Sequence, residues 1–127
     1  RLAARHGVAI DYQVADHEGA RVEPGAFRAA AFVFAHAPPP VRRRAHRRAV
    51  EALAPGGHVL VEAYGKDQLR HGTGGPPDAA LLFAPDDLRE DFAGLELLRL
   101  EEVEAEIREG AYHDGLAAVV RLVARKP

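Results

Sequence analysis

Hydrophobic positions along this chain recur in two different periods, and the switch between the periods predicts its architecture. Ala29 to Ala35 is apolar without interruption, as expected of a strand covered on both faces. His36 breaks that run. Pro38, Pro39 and Pro40 then preset φ for a helix start, where no N–H need be donated. Val41, Ala45, Ala49, Val50, Leu53 and Ala54 follow at helical spacing, with Arg42, Arg43, Arg44, His46, Arg47 and Arg48 on the other face. Pro55-Gly56-Gly57 reads as the end of the helix. His58 to Ala63 reads as the next buried strand, with Glu62 a polar intruder near its carboxyl end. A strand–helix–strand unit of this length is a parallel crossover, which requires a sheet with helices packed on it. The stretch from Phe27 to Tyr64 therefore organises the rest.

The flanks extend the same sheet. Arg1 to His6 looks like the last turns of a helix closed by Gly7. Val8 to Val14 (VAIDYQV) alternates apolar and polar residues and predicts an edge strand, with Asp16 and His17 directly after it. Tyr64 to Ala84 is a long connection rich in Gly and Pro. Beyond about 12–15 residues such a loop is usually a functional lid or a disordered segment. Pro85-Asp86-Asp87 opens a short helix whose buried stripe is Leu88 and Phe92 and which Gly94 closes. Leu95 to Glu109 predicts a strand or two joined pieces, Gly110 to Gly115 a hairpin loop, and Leu116 to Ala124 an interior strand. The expectation is one α/β domain over residues 1–127: a Rossmann-like, mostly parallel sheet whose last strand runs antiparallel.

Parallel sheets of this kind place ligands at the carboxyl ends of their strands. That edge is expected to gather Asp16 and His17, then His36, then Glu62 and Tyr64, and finally Tyr112, His113 and Asp114. The hairpin loop returns to the same edge because the last strand is antiparallel. Gln68, His71 and Thr73 in the long connection leave from there as well. A histidine or tyrosine in a loop, taken alone, is more often plain surface. The recurrence of ring and acid residues at successive strand ends makes the edge a default ligand site.

Composition narrows the chemistry. The chain has no cysteine and no serine, which excludes disulfides, thiolate chemistry and a serine nucleophile. No two histidines stand at a metal-ligand spacing such as H-x-x-x-H, so no metal is expected. A net charge of -2 and a pI near 6.4 exert no overall pull on nucleic acid or anionic membrane. No apolar run approaches the roughly 20 residues of a membrane helix, and a cytoplasmic location is expected. Arg42 to Arg48 is rich enough in arginine to grip phosphates, but no aromatic residues interleave with it. A solvated face offset by the acidic run Glu101 to Glu109 is the expected reading.

At the central unit the motifs become specific. FRAAAFVFAH, a helix and EALAPGGHVLVEAY, with Leu53, Pro55, Gly56 and Gly57 in an L-x-P-G-G arrangement, resemble the fourth and fifth strands of class I S-adenosylmethionine-dependent methyltransferases. VAIDYQVADHE is similar to that family's third strand, and GAYHDGLAAVV follows the order of its sixth and seventh strands. Small tellurite-resistance-like bacterial methyltransferases are the most similar branch. The resemblance implies S-adenosylmethionine as cofactor and methyl transfer to a small-molecule acceptor. On it Asp16 accepts from the adenine amino group, His17 packs beside the base, and Ala35 and His36 lie near the transferring methyl. From their position at the edge, rather than from any motif, Tyr64, His71 and Tyr112 are expected to bind the acceptor. His36, Tyr112 and His113 are the catalytic candidates, with His113 as general base.

The chain departs from the family pattern by lacking the Gly-rich loop and the ribose-binding acid of the first two strands, and Arg28 stands where an Asp commonly precedes the fourth. The family sheet order of 3-2-1-4-5-7-6 places those absent strands between the third and fourth. These residues are therefore expected to be the carboxyl-terminal part of a longer protein, short of its N-terminal strands by about 60–80 residues. Otherwise the third strand must pair across a homodimer, and the alternative function is a non-catalytic dimerisation or scaffold domain.

Overall fold

A computed structural model of the chain describes residues 1–16, 19–111 and 113–127. Helix α1 spans Leu2–Arg5, strand β1 Phe27–Val33, helix α2 Pro39–Ala52 and strand β2 Leu53–Tyr64. Two short 3-10 turns, Lys66–Arg70 and Ala79–Leu81, sit in the long connection. Helix α3 spans Pro85–Asp91, strand β3 Glu96–Arg108 and strand β4 Asp114–Arg125. The sheet order is β1-β2-β4-β3. β1 and β2 are parallel, and β4 runs antiparallel to both of its neighbours. The expected crossover, hairpin and antiparallel last strand are all present.

Two expected boundaries move. Helix α2 stops at Ala52, before the Pro-Gly-Gly stretch, because Leu53 already pairs with Phe27 of β1. The ladder then shifts register, and its regular run begins at Ala29↔His58. Gly57 shows why glycine stands in the shift: a Cβ there would lie 2.9 Å from the Ala54 carbonyl oxygen and 3.2 Å from that of Arg28. Lys126 secures the same corner, its Nζ donating to the carbonyls of Val50 (2.8 Å) and Leu53 (2.7 Å) at the end of α2.

Val8 to Val14 is not a strand. The segment is exposed coil, with Val8, Ile10, Tyr12 and Val14 all open to solvent. Alternation supplies a strand only where a neighbour completes its backbone hydrogen bonds, and among the described residues no strand lies beyond β1.

The core lies mainly between the sheet and its helices. Leu53, Val59, Val61, Ala63, Val120, Leu122 and Ala124 of the sheet pack with Phe83, Leu88 and Phe92. Strand alternation sends Tyr64, Ala117 and Val119 to the opposite face, where they form a second cluster with Leu82 and Ile107. That smaller cluster lies toward the carboxyl end of β2.

Candidate functional site

The turn after β1 sets the first component. Phe34 adopts φ +48, rare for a bulky residue and costing roughly 1–3 kcal/mol. Its N–H donates to the Glu62 carbonyl at 2.8 Å, and the His36 N–H returns to the Phe34 carbonyl at 3.2 Å. Between them, the Ala35 backbone makes no hydrogen bond with the described residues. The tight turn brings the His36 ring over Tyr64, parallel to within 15° at 5.6 Å, and edge-on to Phe83 at 5.4 Å.

Both His36 nitrogens are occupied. Nδ1 lies 2.8 Å from the Leu81 carbonyl, which only accepts, and Nε2 lies 3.3 Å from the Tyr64 N–H, which only donates. The imidazole is therefore the neutral Nδ1–H tautomer. Burial lowers its pKa below the ordinary range, against the opposing pull of the Leu81 carbonyl. No nitrogen is left over to take a proton from a substrate.

Tyr64 ends β2 at the centre of the group. Its ring lies 4.7 Å from Phe34, and its hydroxyl lies 2.8 Å from His113 Nδ1. Burial, reinforced by the charge of Glu109, raises the phenol pKa, so the hydroxyl keeps its proton. His113 is carried by the β3–β4 hairpin, closed by Glu109 N–H to the His113 carbonyl (2.8 Å) and His113 N–H to the Gly110 carbonyl (3.0 Å). The ends of β1 and β2 and the hairpin thus converge at one edge, as the strand directions require. Tyr112 and His17 lie outside the described residues.

Other candidates go elsewhere. Asp16 lines a cleft of about 400 Å³ along β1 with Phe27, Phe32, Ala45 and Ala49, a cleft that His36, Tyr64 and His113 do not line. Its carboxylate also accepts the Gly19 N–H. Asp16 thus follows a coil segment rather than the strand expected before it. His71 turns to β3, with Nε2 3.4 Å from Glu104. Glu62 is held by Arg121 of the adjacent strand at 3.0 Å, the plain reading of an acid facing outward beside a base.

The long connection is fastened rather than free. Gln68, 2% exposed, accepts the Ala118 N–H at 2.8 Å and donates to Thr73 Oγ1 and the Gly74 carbonyl at 3.0 Å each. Thr73 donates in turn to the Leu116 carbonyl at 2.7 Å. Gly75, at φ +89, lies against Tyr64, and a Cβ there would meet the ring at 3.0 Å. The connection is a packed wall of the Tyr64 cluster.

A second polar cluster was invisible in the periodicity. Arg42 and His46, expected on the solvated face of α2, are 3% and 1% exposed. Asp91 of α3 accepts from Arg42 Nε at 2.7 Å and lies 2.8 Å from His46 Nδ1. Burial pushes the Asp91 carboxyl up, but the bonds from His46 and Arg42 outweigh it and the pKa falls. His46 stacks on Phe92 at 4.6 Å, and the Arg42 guanidinium lies over Phe83 at 5.1 Å. The i, i+4 spacing of Arg42 and His46 was a signal, but its partner lies 45 residues from His46. Arg43 pairs with Glu90 and Asp91, so acids of α3 offset this part of the helix.

Among the described residues no cluster of histidines, aspartates and glutamates forms a metal-binding set, and no helix is long and apolar enough to cross a membrane. The start of α2 offers no free backbone donor, since Pro39 and Pro40 lack N–H and Val41 and Arg42 both bond the Pro38 carbonyl.

No protein-family model matches the chain, and no curated protein matches it in sequence. Solved structures do match its fold. TehB from Haemophilus influenzae aligns with a TM-score of 0.74 at 17% identity, over 99% of this chain and 44% of that one. A SAM-dependent methyltransferase from Methanosarcina mazei aligns with a TM-score of 0.67 at 16% identity, over 90% of this chain and 66% of the other. A possible histamine N-methyltransferase from Thermotoga maritima gives 0.58 at 17% identity, over 99% and 68%. The fold is that of SAM-dependent methyltransferases, and the chain spans less than two thirds of the first two of these structures.

Proposed function

We propose that these residues form the carboxyl-terminal part of a methyltransferase that uses S-adenosylmethionine to methylate a small-molecule acceptor. The observation that carries the reading is the β1-β2-β4-β3 sheet, with its antiparallel last strand, gathering His36, Tyr64 and His113 at its carboxyl edge. The cofactor supplies an activated methyl group for in-line displacement, which asks the protein for positioning and exclusion of water. The fit is to the methyl and acceptor side. The free Ala35 backbone at the strand end is the contact point for the cofactor, and the Gly-rich loop of this fold is not among these residues.

His36 acts as a positioning residue, since both nitrogens are used in holding the Phe34 turn against Tyr64 and Leu81. His113 faces the acceptor, because Tyr64 takes only one of its nitrogens. Tyr112, outside the described residues, remains a candidate from the sequence. His71 lies one layer back, paired with Glu104, and reaches the acceptor only if that pair opens. Asp16 meets the adenine only in a protein where segment 8–14 has a strand to pair with.

Calorimetric titration of S-adenosylmethionine into the full-length gene product tests the reading. A saturable heat, weakened by Asp16→Ala, is expected, and no heat sinks it. One observation favours a second reading: β1 is an open edge beside an apolar cleft, which suits a non-catalytic dimerisation domain. That reading requires a dimer by sedimentation and no cofactor heat.

A further inference from the structure

Two histidines flank Tyr64, and the hydrogen-bond accounts of the three residues are linked. His36 is fixed as the Nδ1–H tautomer by a carbonyl on one nitrogen and an N–H on the other. Tyr64 is 1% exposed, so its hydroxyl proton is cut off from water and needs a protein acceptor. Among the described residues the hydroxyl makes one hydrogen bond, to His113 Nδ1 at 2.8 Å. Were Nδ1 protonated instead, it would donate to the phenol oxygen and leave the buried phenolic proton without a partner. That orphan would cost far more than exchanging tautomers of a neutral imidazole.

The geometry points to His113 as a ligand-binding donor: Tyr64 holds it as the Nε2–H tautomer, and its free Nε2–H takes an oxygen of the acceptor, a carboxylate or carbonyl group. The ring is half-buried at the sheet's carboxyl edge, and Nε2 has no partner among the described residues. An imidazole in this state donates a hydrogen bond, and so does not serve as the general base that its place in the hairpin had led one to expect. The two histidines on either side of one tyrosine are thus held in opposite tautomers, His36 closed on both sides and His113 open on one. An acceptor bearing an oxygen acceptor group satisfies that opening, whereas a cationic amine would meet a donor head-on. The tautomer stands on the hydrogen bonds alone, and the ligand class rests on the reading of this edge as the acceptor side.

Long-range proton–nitrogen correlation spectra of the ¹⁵N-labelled protein at about pH 8, where an ordinary imidazole is neutral, read the tautomer directly. His113→Gln assigns the resonance. The Nε2–H pattern is expected for His113 and the Nδ1–H pattern for His36. Tyr64→Phe should release His113 into a mixture of tautomers while His36 keeps its pattern. An Nδ1–H pattern for His113 in the unaltered protein overturns the inference. Sodium acetate is then titrated against methylammonium chloride. Acetate is expected to shift the His113 Nε2–H signal saturably, about fivefold more weakly in Tyr64→Phe. A shift with methylammonium alone, or with neither probe, removes the donor role. Failure here leaves the cofactor titration untouched: heat with S-adenosylmethionine beside an Nδ1–H His113 keeps the methyltransferase and discards this inference.

Discussion

Two histidine clusters stand on the same sheet, and they differ in how completely the protein uses them. At the α2–α3 junction, His46, Arg42 and Asp91 bury a charged network between helices. At the carboxyl edge, Tyr64 joins His36 and His113, and one imidazole nitrogen is left over. A closed network holds elements together, while an open one has something to offer a ligand. The contrast is one of valence, since both clusters contain stacked rings and both lie against the core.

The contrast breaks most directly at Asp91. Removing its carboxylate leaves the buried Arg42 with only the longer 3.4 Å contact to Asp87, so Asp91→Ala should cost about 3 kcal/mol by chemical denaturation. A loss below ~1 kcal/mol would mean that the network does not carry the helix layer. Next comes the wall of the open cluster. Gln68→Leu orphans the Ala118 N–H and frees the Thr73 turn, with an expected loss of about 2 kcal/mol and faster proteolysis between Gln68 and Asp78. Unchanged proteolysis would show that the connection is held by other contacts.

Titration separates the clusters further. His36 has a lowered pKa, so the unfolded chain binds its proton more readily than the folded one. Its contribution is complete above the ordinary value of 6.5 and is lost as the pH falls from there through the folded value. Asp91 is also lowered, and its contribution disappears only in the acid range below 3.8. Tyr64, raised, loses its contribution as the pH climbs past 10. Denaturation midpoints followed from neutral to acid should fall in two separated steps, and His36→Phe should remove the first. A single step would merge the two clusters into one titrating unit. The smallest effect is expected at His113, where His113→Ala should cost about 1–2 kcal/mol, since it leaves the buried Tyr64 hydroxyl without its partner while the half-buried site lets water replace the lost ring. A loss matching that of Asp91→Ala would erase the distinction between open and closed.

Much of this was legible in the residues. The apolar run before His36, the proline start of α2, the Pro-Gly-Gly corner and the hairpin at Gly110 each impose local geometry, and local geometry survives into any fold that contains it. Strand direction then followed from connection length, and the meeting of His36, Tyr64 and His113 followed from strand direction. Val8 to Val14 had as clear an alternation as Val103 to Ile107, yet only the latter is a strand, because β4 lies beside it. Alternation says which face a strand would bury, but the hydrogen bonds of its backbone come from elsewhere.

The sequence by itself determined the order of elements, the crossover and the residues at the strand ends, since these rest on spacing along the chain. Tertiary structure alone decided which polar groups are closed and which are open. Arg42 and His46 became buried when Asp91 arrived from another helix, Gln68 became a fastening when Ala118 passed beneath it, and His36 lost both nitrogens to Leu81 and Tyr64. Hydrogen-bond partners distant in sequence leave no period in it, so the chemistry left to His113 depends on Tyr64, 49 residues earlier in the chain.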